Sequence, residues 1–376
     1  MHLFLLRKNA CDMRLCLHKS AKKGTIFICI SLIIEVIFMK TELFSNSKED
    51  IKKAGELLKK GELVAIPTET VYGLAANALD GKAVANIFAA KGRPMDNPLI
   101  VHIADLQDVE DLVAYVPDVL EVLAREFWPG PLTVIMDKSG IIPDEVSAGL
   151  DTVAIRMPSH KTARAIIRAA GVPLAAPSAN TSGKPSPTTA QHVMDDMNGR
   201  IAAVVDGGAS EVGVESTVLT LCTRRPRVLR PGRITVEQLE EVLGDVDVDE
   251  AVLGQLEEGR KAPSPGMKYK HYSPNAEVFV VKSSAEAFAD FVNAKDKATT
   301  ASLVFEGEED GLSCTTINFG KENDDLAHAN RLFAALRECD EKGMKEVYVR
   351  CPNSDGVGLA VMNRLLRAAE FRIIEL

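Results

Sequence analysis

The sequence predicts an α/β protein in two folded units: a larger one on a twisted mixed sheet with helices, and a small C-terminal α/β unit of Rossmann-like pattern. Three observations carry this. From residue 47 onward, segments with apolar residues at helical spacing alternate with short apolar runs of strand length. Some of those runs are close neighbours, such as 217–221 and 228–229, which suits a mixed rather than an all-parallel sheet. A turn-rich stretch, Ala262-Pro263-Ser264-Pro265-Gly266, separates the two patterns.

The first helix is expected from a Ser47 cap, with Asp50 in its first turn, Ile51, Ala54, Leu57 and Leu58 on one face, and Gly61 at its end. Leu63-Val64-Ala65-Ile66 then reads as a buried strand closed by Pro67. Further strands are expected at 99–103, 132–136, 153–157, 174–176, 202–205, 217–221 and 228–229, and helices near 82–90, 105–126, 160–170 and 188–198. Ser186-Pro187 fits a cap followed by proline at the first helical position. Thr235 with Gln238 fits a capping box for a helix to about Leu243. In the C-terminal unit, strands are expected at 277–281, 301–305, 314–319, 346–350 and 371–375, and helices at 284–294, 324–341 and 358–369. The division predicted is 39–245 for the larger domain, 246–275 for a linker and 276–376 for the smaller domain.

The chain has 376 residues, 46% of them hydrophobic and 26% charged, which argues against a disordered or fibrous protein. Its net charge of −9 has the wrong sign for a general nucleic-acid coat, although a local basic groove remains open. The charge is uneven. Residues 1–39 hold Arg7, Lys8, Arg14, Lys19, Lys22 and Lys23 against Asp12 and Glu35, a net of +4, so the rest of the chain stands at −13. Cys11, Cys16 and Cys29 lie in this leader; Cys222, Cys314, Cys339 and Cys351 are widely spaced, as free thiols of a reducing compartment would be. A secretory signal would share the basic start and the apolar run 25–38, but no small-residue cleavage site follows, and the run is shorter than the roughly 20 residues of a membrane helix. Glu35-Val36 back-translates to GAG-GTN, which can carry a ribosome-binding sequence, with Ile37-Phe38 as spacer before Met39. Translation is therefore expected to start at Met39, with 1–38 an untranslated leader read as protein.

No GxxxxGK[ST], no GxGxxG after a first strand, no HExxH, no GxSxG and no Cys/His metal spacing is present. Polar residues collect instead where strands end, the place where open α/β sheets bind ligands. Pro67-Thr68-Glu69-Thr70-Val71-Tyr72-Gly73-Leu74 follows the first buried strand, as a ligand loop or simply a capped one. Lys91 and Arg93 near a helix end can clamp polyphosphate oxygens or lie solvated. Asn97 follows, and His102 in an apolar strand is either a satisfied core histidine or a site group. Arg156, within Val153-Ala154-Ile155-Arg156-Met157-Pro158, needs an anion, either a structural carboxylate or a substrate's. Pro177-Ser178-Ala179-Asn180 and the residues to Thr188 lead into a helix N-terminus, a natural anion site. Asp206-Gly207-Gly208, Glu215-Ser216-Thr217 and Leu229-Arg230-Pro231-Gly232 complete the set. Lys91, Arg93, Arg156 and Arg230 at strand ends of an acidic protein point to a small anionic ligand such as a nucleotide.

In this order, PTETVYGL, KGRPMDNPLIVHI, WPGPLT, GLDTVAIRMP, APSANTSGKPSPT, GVESTV and LRPG closely resemble the threonylcarbamoyl-adenylate synthase family, whose catalytic domain has the YrdC-like fold. The segment Ser264-Pro265-Gly266-Met267-Lys268-Tyr269-Lys270-His271-Tyr272-Ser273-Pro274 resembles the linker of its two-domain form. The resemblance spans about 47–376, is most specific over 63–233, and leaves 1–38 unmatched. It implies that L-threonine, bicarbonate (or CO2) and ATP give L-threonylcarbamoyl-AMP and pyrophosphate in the cytoplasm, with a partner transferase complex passing the group to adenosine 37 of tRNA. A weak tRNA contact is allowed and no membrane is involved. By the same resemblance Thr68, His102, Arg156, Ala176 and Ser216 surround threonine. Lys91, Arg93, Asn97, Thr152, Ser178, Asn180, Ser186 and Arg230 hold ATP, with Tyr269 and possibly His271 reaching over from the linker as a lid. No nucleophile or acid–base dyad is expected, because the reaction needs positioning and charge neutralisation. Mg2+ is expected to travel with ATP, without a dedicated ligand cluster. Arg156→Ala is expected to raise the threonine requirement with little loss of fold. Two alternatives are a carbamoyl-adenylate-forming domain of another pathway, disfavoured by the lack of CxxC clusters, and a non-catalytic RNA-binding module, disfavoured by the acidic balance. The intact mass of the native protein tests the start: a mass from Met39 is expected, and one that includes residues 1–38 overturns it.

Overall fold

The computed structural model describes residues 40–254 and 272–376. The leader expected over 1–38, and Tyr269 and His271, lie outside the described residues. Strand β1 (Glu42–Phe44) precedes helix α1 (Lys48–Lys59), which Ser47 caps by accepting from the Asp50 amide. Strand β2 (Val64–Ile66) turns back into β3 (Gly73–Asn77), antiparallel to it. The sequence reading left β3 inside a polar loop. The reversal is tight because Thr68 Oγ1 accepts from the Thr70 and Val71 amides at 3.2 and 3.3 Å and lies 2.6 Å from Val71 O, a local hydroxyl turn no apolar pattern records.

Helix α2 (Gly81–Lys91) and strand β4 (Ile100–His102) follow. The single helix expected over 105–126 is broken into a 3₁₀ turn, Leu106–Asp108, a short helix, Val109–Leu112, and α3 (Val119–Phe127). Pro117 has no amide to donate and turns Val116 away from helical angles, while Val113 pairs as an isolated bridge with Lys138. The first body continues with β5 (Leu132–Asp137), β6 (Thr152–Arg156), α4 (Lys161–Ala170), β7 (Leu174–Ala175) and α5 (Ala190–Met197). The cap of α5 is Thr189, accepting from His192, rather than the expected Ser186, whose hydroxyl donates to Glu215 at 2.6 Å. Strands β8 (Ala203–Val205), β9 (Thr217–Thr220) and β10 (Arg227–Arg230), helix α6 (Val236–Leu243) with its Thr235–Gln238 capping box, and β11 (Asp247–Val248) complete it. Because β11 pairs with β10, the sheet reaches into the stretch expected as linker from 246.

The second body holds β12 (Glu277–Lys282), α7 (Ala285–Asn293), β13 (Thr300–Val304), β14 (Thr315–Asn318), α8 (Asp325–Glu341), β15 (Glu346–Arg350), α9 (Gly356–Ala368) and β16 (Ile373–Glu375). Among the described residues, eleven strands make one mixed sheet, β1-β8-β2-β3-β7-β4-β6-β5-β9-β10-β11, and five make a second, β14-β13-β15-β12-β16, parallel throughout.

Both sheets are covered on two faces, which is why their strands read as continuous apolar runs. In the first, Val64 and Ile66 pack with Ala54 and Leu58 of α1 and Ile166 of α4, while Ala65 joins Val84 and Ile87 of α2 and Leu120 and Leu123 of α3. In the second, Val278 and Val280 face Phe333 of α8 and Leu365 of α9, while Val281 faces Phe288 of α7. The two bodies share apolar packing: Val71 and Val214 of the first are buried in the same cluster as Leu332, Phe333 and Val361 of the second, and residues 41–376 form one compact unit.

Gly213 makes this joint possible. Its φ is +81°, and a Cβ there would lie 2.4 Å from Asn330 Cα and 2.5 Å from Ala329 O on α8. Gly213→Ala is expected to cost about 1–3 kcal/mol through strain and overpacking, read as a lower melting temperature. An unchanged melting temperature would mean that α8 retreats freely.

Candidate active site

Where the strands of the first body end, turn and loop residues enclose a cleft of about 610 Å3, measured out to its open mouth. Parallel pairing of β4 and β6 sets His102 beside Arg156 in register. The β2–β3 turn brings Thr68 and Thr70. The residues after β7 bring Ala176 and Ser178, the latter bridged to Gly73. Antiparallel β9 and β10 bring Ser216 and Arg230 together. The cleft wall therefore holds all five residues expected around threonine, Thr68, His102, Arg156, Ala176 and Ser216, and three of those expected for ATP, Arg93, Ser178 and Arg230. Arg93 also borders an open groove of about 1120 Å3 lined by residues 181–184 and 273–275.

The other expected ATP residues do not line this cleft. Lys91 is buried behind it, its Nζ donating to Ser178 O at 2.5 Å and Asn180 O at 2.6 Å. Asn180 accepts from Ser178 Oγ at 2.5 Å and donates to Thr181 O and Lys184 O, so it braces the same loop. Ser186 is committed to Glu215. Asn97 is buried. Thr152 begins β6, and four strand steps put it about 13 Å from Arg156.

Arg156 has a structural carboxylate beside it. Its Nη2 lies 2.7 Å from Glu69 Oε1, and its Nη1 donates to Thr70 Oγ1 at 2.9 Å and its Nε to Gly130 O at 3.3 Å. Burial pushes the Glu69 carboxyl up, but the guanidinium outweighs it and holds the carboxyl below its ordinary value. Arg156→Ala would thus leave a buried carboxylate uncompensated, and such breaks cost about 3–5 kcal/mol, contrary to the expected small effect on folding.

Also lining the cleft, Arg230 donates from Nε to Ser216 O and from Nη2 to Ser216 Oγ, both at 3.1 Å, and Ser216 Oγ lies 2.7 Å from Thr133 Oγ1. Burial lowers Arg230 to about 10, which still leaves a cation at neutral pH. Burial, then the charge of Arg156, pushes His102 down to about 3, and its Nδ1–H donates to Ile100 O at 3.2 Å, so the imidazole is neutral.

Sequence reasoning missed three polar wall residues. Thr70 and Glu215 stand inside motifs it quoted, each beside a residue it chose, and an acid flanked by hydroxyls was the available signal. Tyr272, in the left-handed region at φ +65° and with its ring tilted by 31° at 5.1 Å from that of Phe333, stands in the quoted linker segment, but nothing in a tyrosine announces that backbone.

Two family models match the chain, one described as "Telomere recombination" over residues 56–232 and one as "Threonylcarbamoyl-AMP synthase, C-terminal domain" over 234–370. The chain is 45% identical over 334 residues to the threonylcarbamoyl-AMP synthase of Pyrococcus abyssi, covering 86% of this chain and 95% of that one. It is 46% identical over 338 residues to that of Bacillus subtilis, covering 89% and 97%. The chain belongs to the threonylcarbamoyl-AMP synthase family. A solved structure of P. abyssi Sua5 complexed with L-threonine superposes with a TM-score of 0.82 at 41% identity, covering 89% of this chain and all of that one. The family's two-domain architecture accounts for both sheets, and the larger body has the YrdC-like fold that the motifs imply.

The neutral His102 has a stability signature. Unfolded, it takes up a proton below about pH 6.5; folded, it does so only near pH 3. Its contribution is therefore full above about pH 6.5 and declines as pH falls toward 3. The melting-temperature gap between wild type and His102→Asn is expected to narrow between about pH 7 and pH 4.5. A gap constant over that range would mean that His102 is charged in the fold.

Proposed function

We propose that this protein is an L-threonylcarbamoyl-AMP synthase, forming threonylcarbamoyl-AMP and pyrophosphate from L-threonine, bicarbonate or CO2, and ATP. The observation that carries the reading is one cleft lined by buried Arg156 and Arg230 together with the hydroxyls of Thr68, Thr70, Ser178 and Ser216, in a chain of the synthase family. The relative solved with L-threonine supports the amino acid as substrate.

In this reading the threonine carboxylate shares the Arg156 guanidinium with Glu69, which fixes the amino acid by a charge-assisted contact. Thr68, Ala176, Ser216 and the neutral His102 form the pocket around it. The unprotonated amine adds to CO2, giving a carbamate and releasing a proton. A carbamate oxygen then attacks the α-phosphorus of ATP, the bond to the β-phosphate oxygen breaks, and pyrophosphate leaves. Arg230 and Arg93 neutralise charge on the nucleotide, and the triphosphate runs past Arg93 toward the neighbouring groove. Lys91 and Asn180 hold the Ser178 loop in shape. No side chain forms a covalent bond; positioning and preorganised charge do the catalysis.

Among the described residues, no group of three or more His, Cys, Asp or Glu is placed to hold a metal ion. Glu69 and Glu215, the acids at the cleft, are in ion pairs with arginines. Mg2+ enters this reading as part of the MgATP substrate. The product is passed to a transferase that modifies adenosine 37 of tRNA, and the cytoplasm, which holds ATP and tRNA, is the compartment that suits this.

Pyrophosphate release from ATP and bicarbonate, with and without L-threonine, tests the reading; release that ignores threonine overturns it. Because Arg156 is bound to Glu69, the clean probe is the paired variant Glu69→Gln/Arg156→Gln, which removes both charges. It is expected to raise the KM for threonine about tenfold or more, the value of one lost charge-assisted contact, with a smaller change in the KM for ATP.

A further inference from the structure

The C-terminal body does more than sit beside the cleft. Several loops of the first body are tied to it by polar contacts. From α8, Asn330 Nδ2 donates to Ser210 O and Glu211 O at 3.0 and 2.9 Å, and Arg337 Nη2 reaches Pro185 O at 2.6 Å and Asp196 Oδ2 at 2.8 Å. From α9, Arg364 enters between the loop of Ser216 and the loop of Arg230.

Arg364 is fully buried. Its Nε donates to Glu215 Oε2 at 3.0 Å, its Nη2 to Glu215 O at 3.3 Å, and its Nη1 to Pro231 O at 2.6 Å. It thus holds the residue before Ser216 and the residue after Arg230 in one rigid fork, as only a guanidinium can. Glu215 lines the cleft, and its other oxygen, Oε1, accepts from Ser186. Arg230 is bonded to Ser216 within the same group, close enough for the charges of Glu215 and Arg230 to act on each other.

We propose that Arg364, supplied by the C-terminal body, is a positioning residue of the cleft. By taking the charge of Glu215 and the carbonyls on either side of the Ser216–Arg230 pair, it keeps Arg230 directed at an anionic ligand rather than at Glu215. Were the side chain of Arg364 neutral, Glu215 would be a buried carboxylate with Arg230 as its nearest remaining arginine, and the pair would form at the ligand's expense. The inference rests on the synthase reading for the identity of the anion, ATP, but its geometry does not.

The test compares wild type, Arg364→Gln and Arg364→Gln/Glu215→Gln in threonine-dependent pyrophosphate release and, separately, in calorimetric ATP binding. Arg364→Gln is expected to weaken ATP binding about tenfold or more, as the burial of an uncompensated group allows, and to raise the KM for ATP more than it lowers kcat. The double variant is expected to recover most of that loss, although it restores no contact to Pro231. A role in docking alone predicts no recovery, and that result, or unchanged ATP binding in Arg364→Gln, overturns the proposal. If Arg364→Gln does not fold, the double variant decides: folded and binding ATP supports the proposal, unfolded or folded without binding overturns it. A wild type that binds ATP but releases no pyrophosphate with threonine fails the synthase reading instead, and Arg364 is then judged on binding alone.

Discussion

Three cations buried around one cleft, Lys91, Arg156 and Arg230, are the constraint to which the rest of the structure answers. An isolated buried charge is not tolerated, so each must be surrounded before the sheet can close over it. The solutions differ. Arg156 is given a carboxylate, Glu69, from the β2–β3 turn. Arg230 is held through the carbonyl and hydroxyl of Ser216. Lys91 is given oxygens of the Ser178–Asn180 loop. Burial, then the charge of Arg93, pushes Lys91 well below the ordinary lysine value. The charges of Asp196 and Glu215 pull the other way, and the three oxygens around Nζ match the three donors of an ammonium. The loops that carry hydroxyls into the cleft are thus the same loops that satisfy the charges, which is why the polar motifs cluster at strand ends.

The acids follow from the cations. Glu69 and Glu215 would cancel the attraction of the cleft for anions if they stood unpaired. Glu69 is bound to Arg156, and Glu215 is bound to Arg364 from the other body, where burial raises its carboxyl but the charges of Arg364 and Arg230 bring it below its ordinary value. Arg156 and Arg364 each neutralise a carboxylate, and Arg93 and Arg230 line the same cleft. A net-acidic chain can in this way present a cationic cleft, because local pairing rather than overall charge sets the field there.

What the sequence disclosed was whatever depends on near neighbours. The strands expected at 63–66, 132–136 and 346–350, the Ser47 cap and the Thr235–Gln238 box are local patterns with local causes. The clustering of Thr68, His102, Arg156 and Ser216 was legible because strand ends are where loops can converge. What stayed hidden depends on partners far along the chain. The expected cap residue Ser186 gives its hydroxyl to Glu215, and Arg364, in the helix expected at 358–369, is enclosed by Glu215 and Pro231 from far along the chain. The strand over 73–77 was masked by a hydroxyl turn, and the expected helix over 105–126 outran a proline whose effect was under-weighted. The short edge strands β1 and β11 carry charged residues, as edges often do, and so lack the apolar signature of their neighbours.

The same electrostatics govern proton exchange at the cleft. Among the described residues of the wall, His102 is the one imidazole and is kept neutral by burial and by Arg156, and Glu69 and Glu215 are held ionised by arginines, so none of these groups is poised to exchange a proton near neutral pH. On the reading proposed above, the proton that matters belongs to the substrate. A threonine whose carboxylate meets Arg156 brings its ammonium near a fixed positive charge, and a like charge favours the neutral amine. The guanidinium that fixes the substrate therefore also readies its nucleophile, and it does so without titrating. A site arranged in this way needs rigid cations and tightly paired acids more than it needs a base, and that is what the two bodies together build.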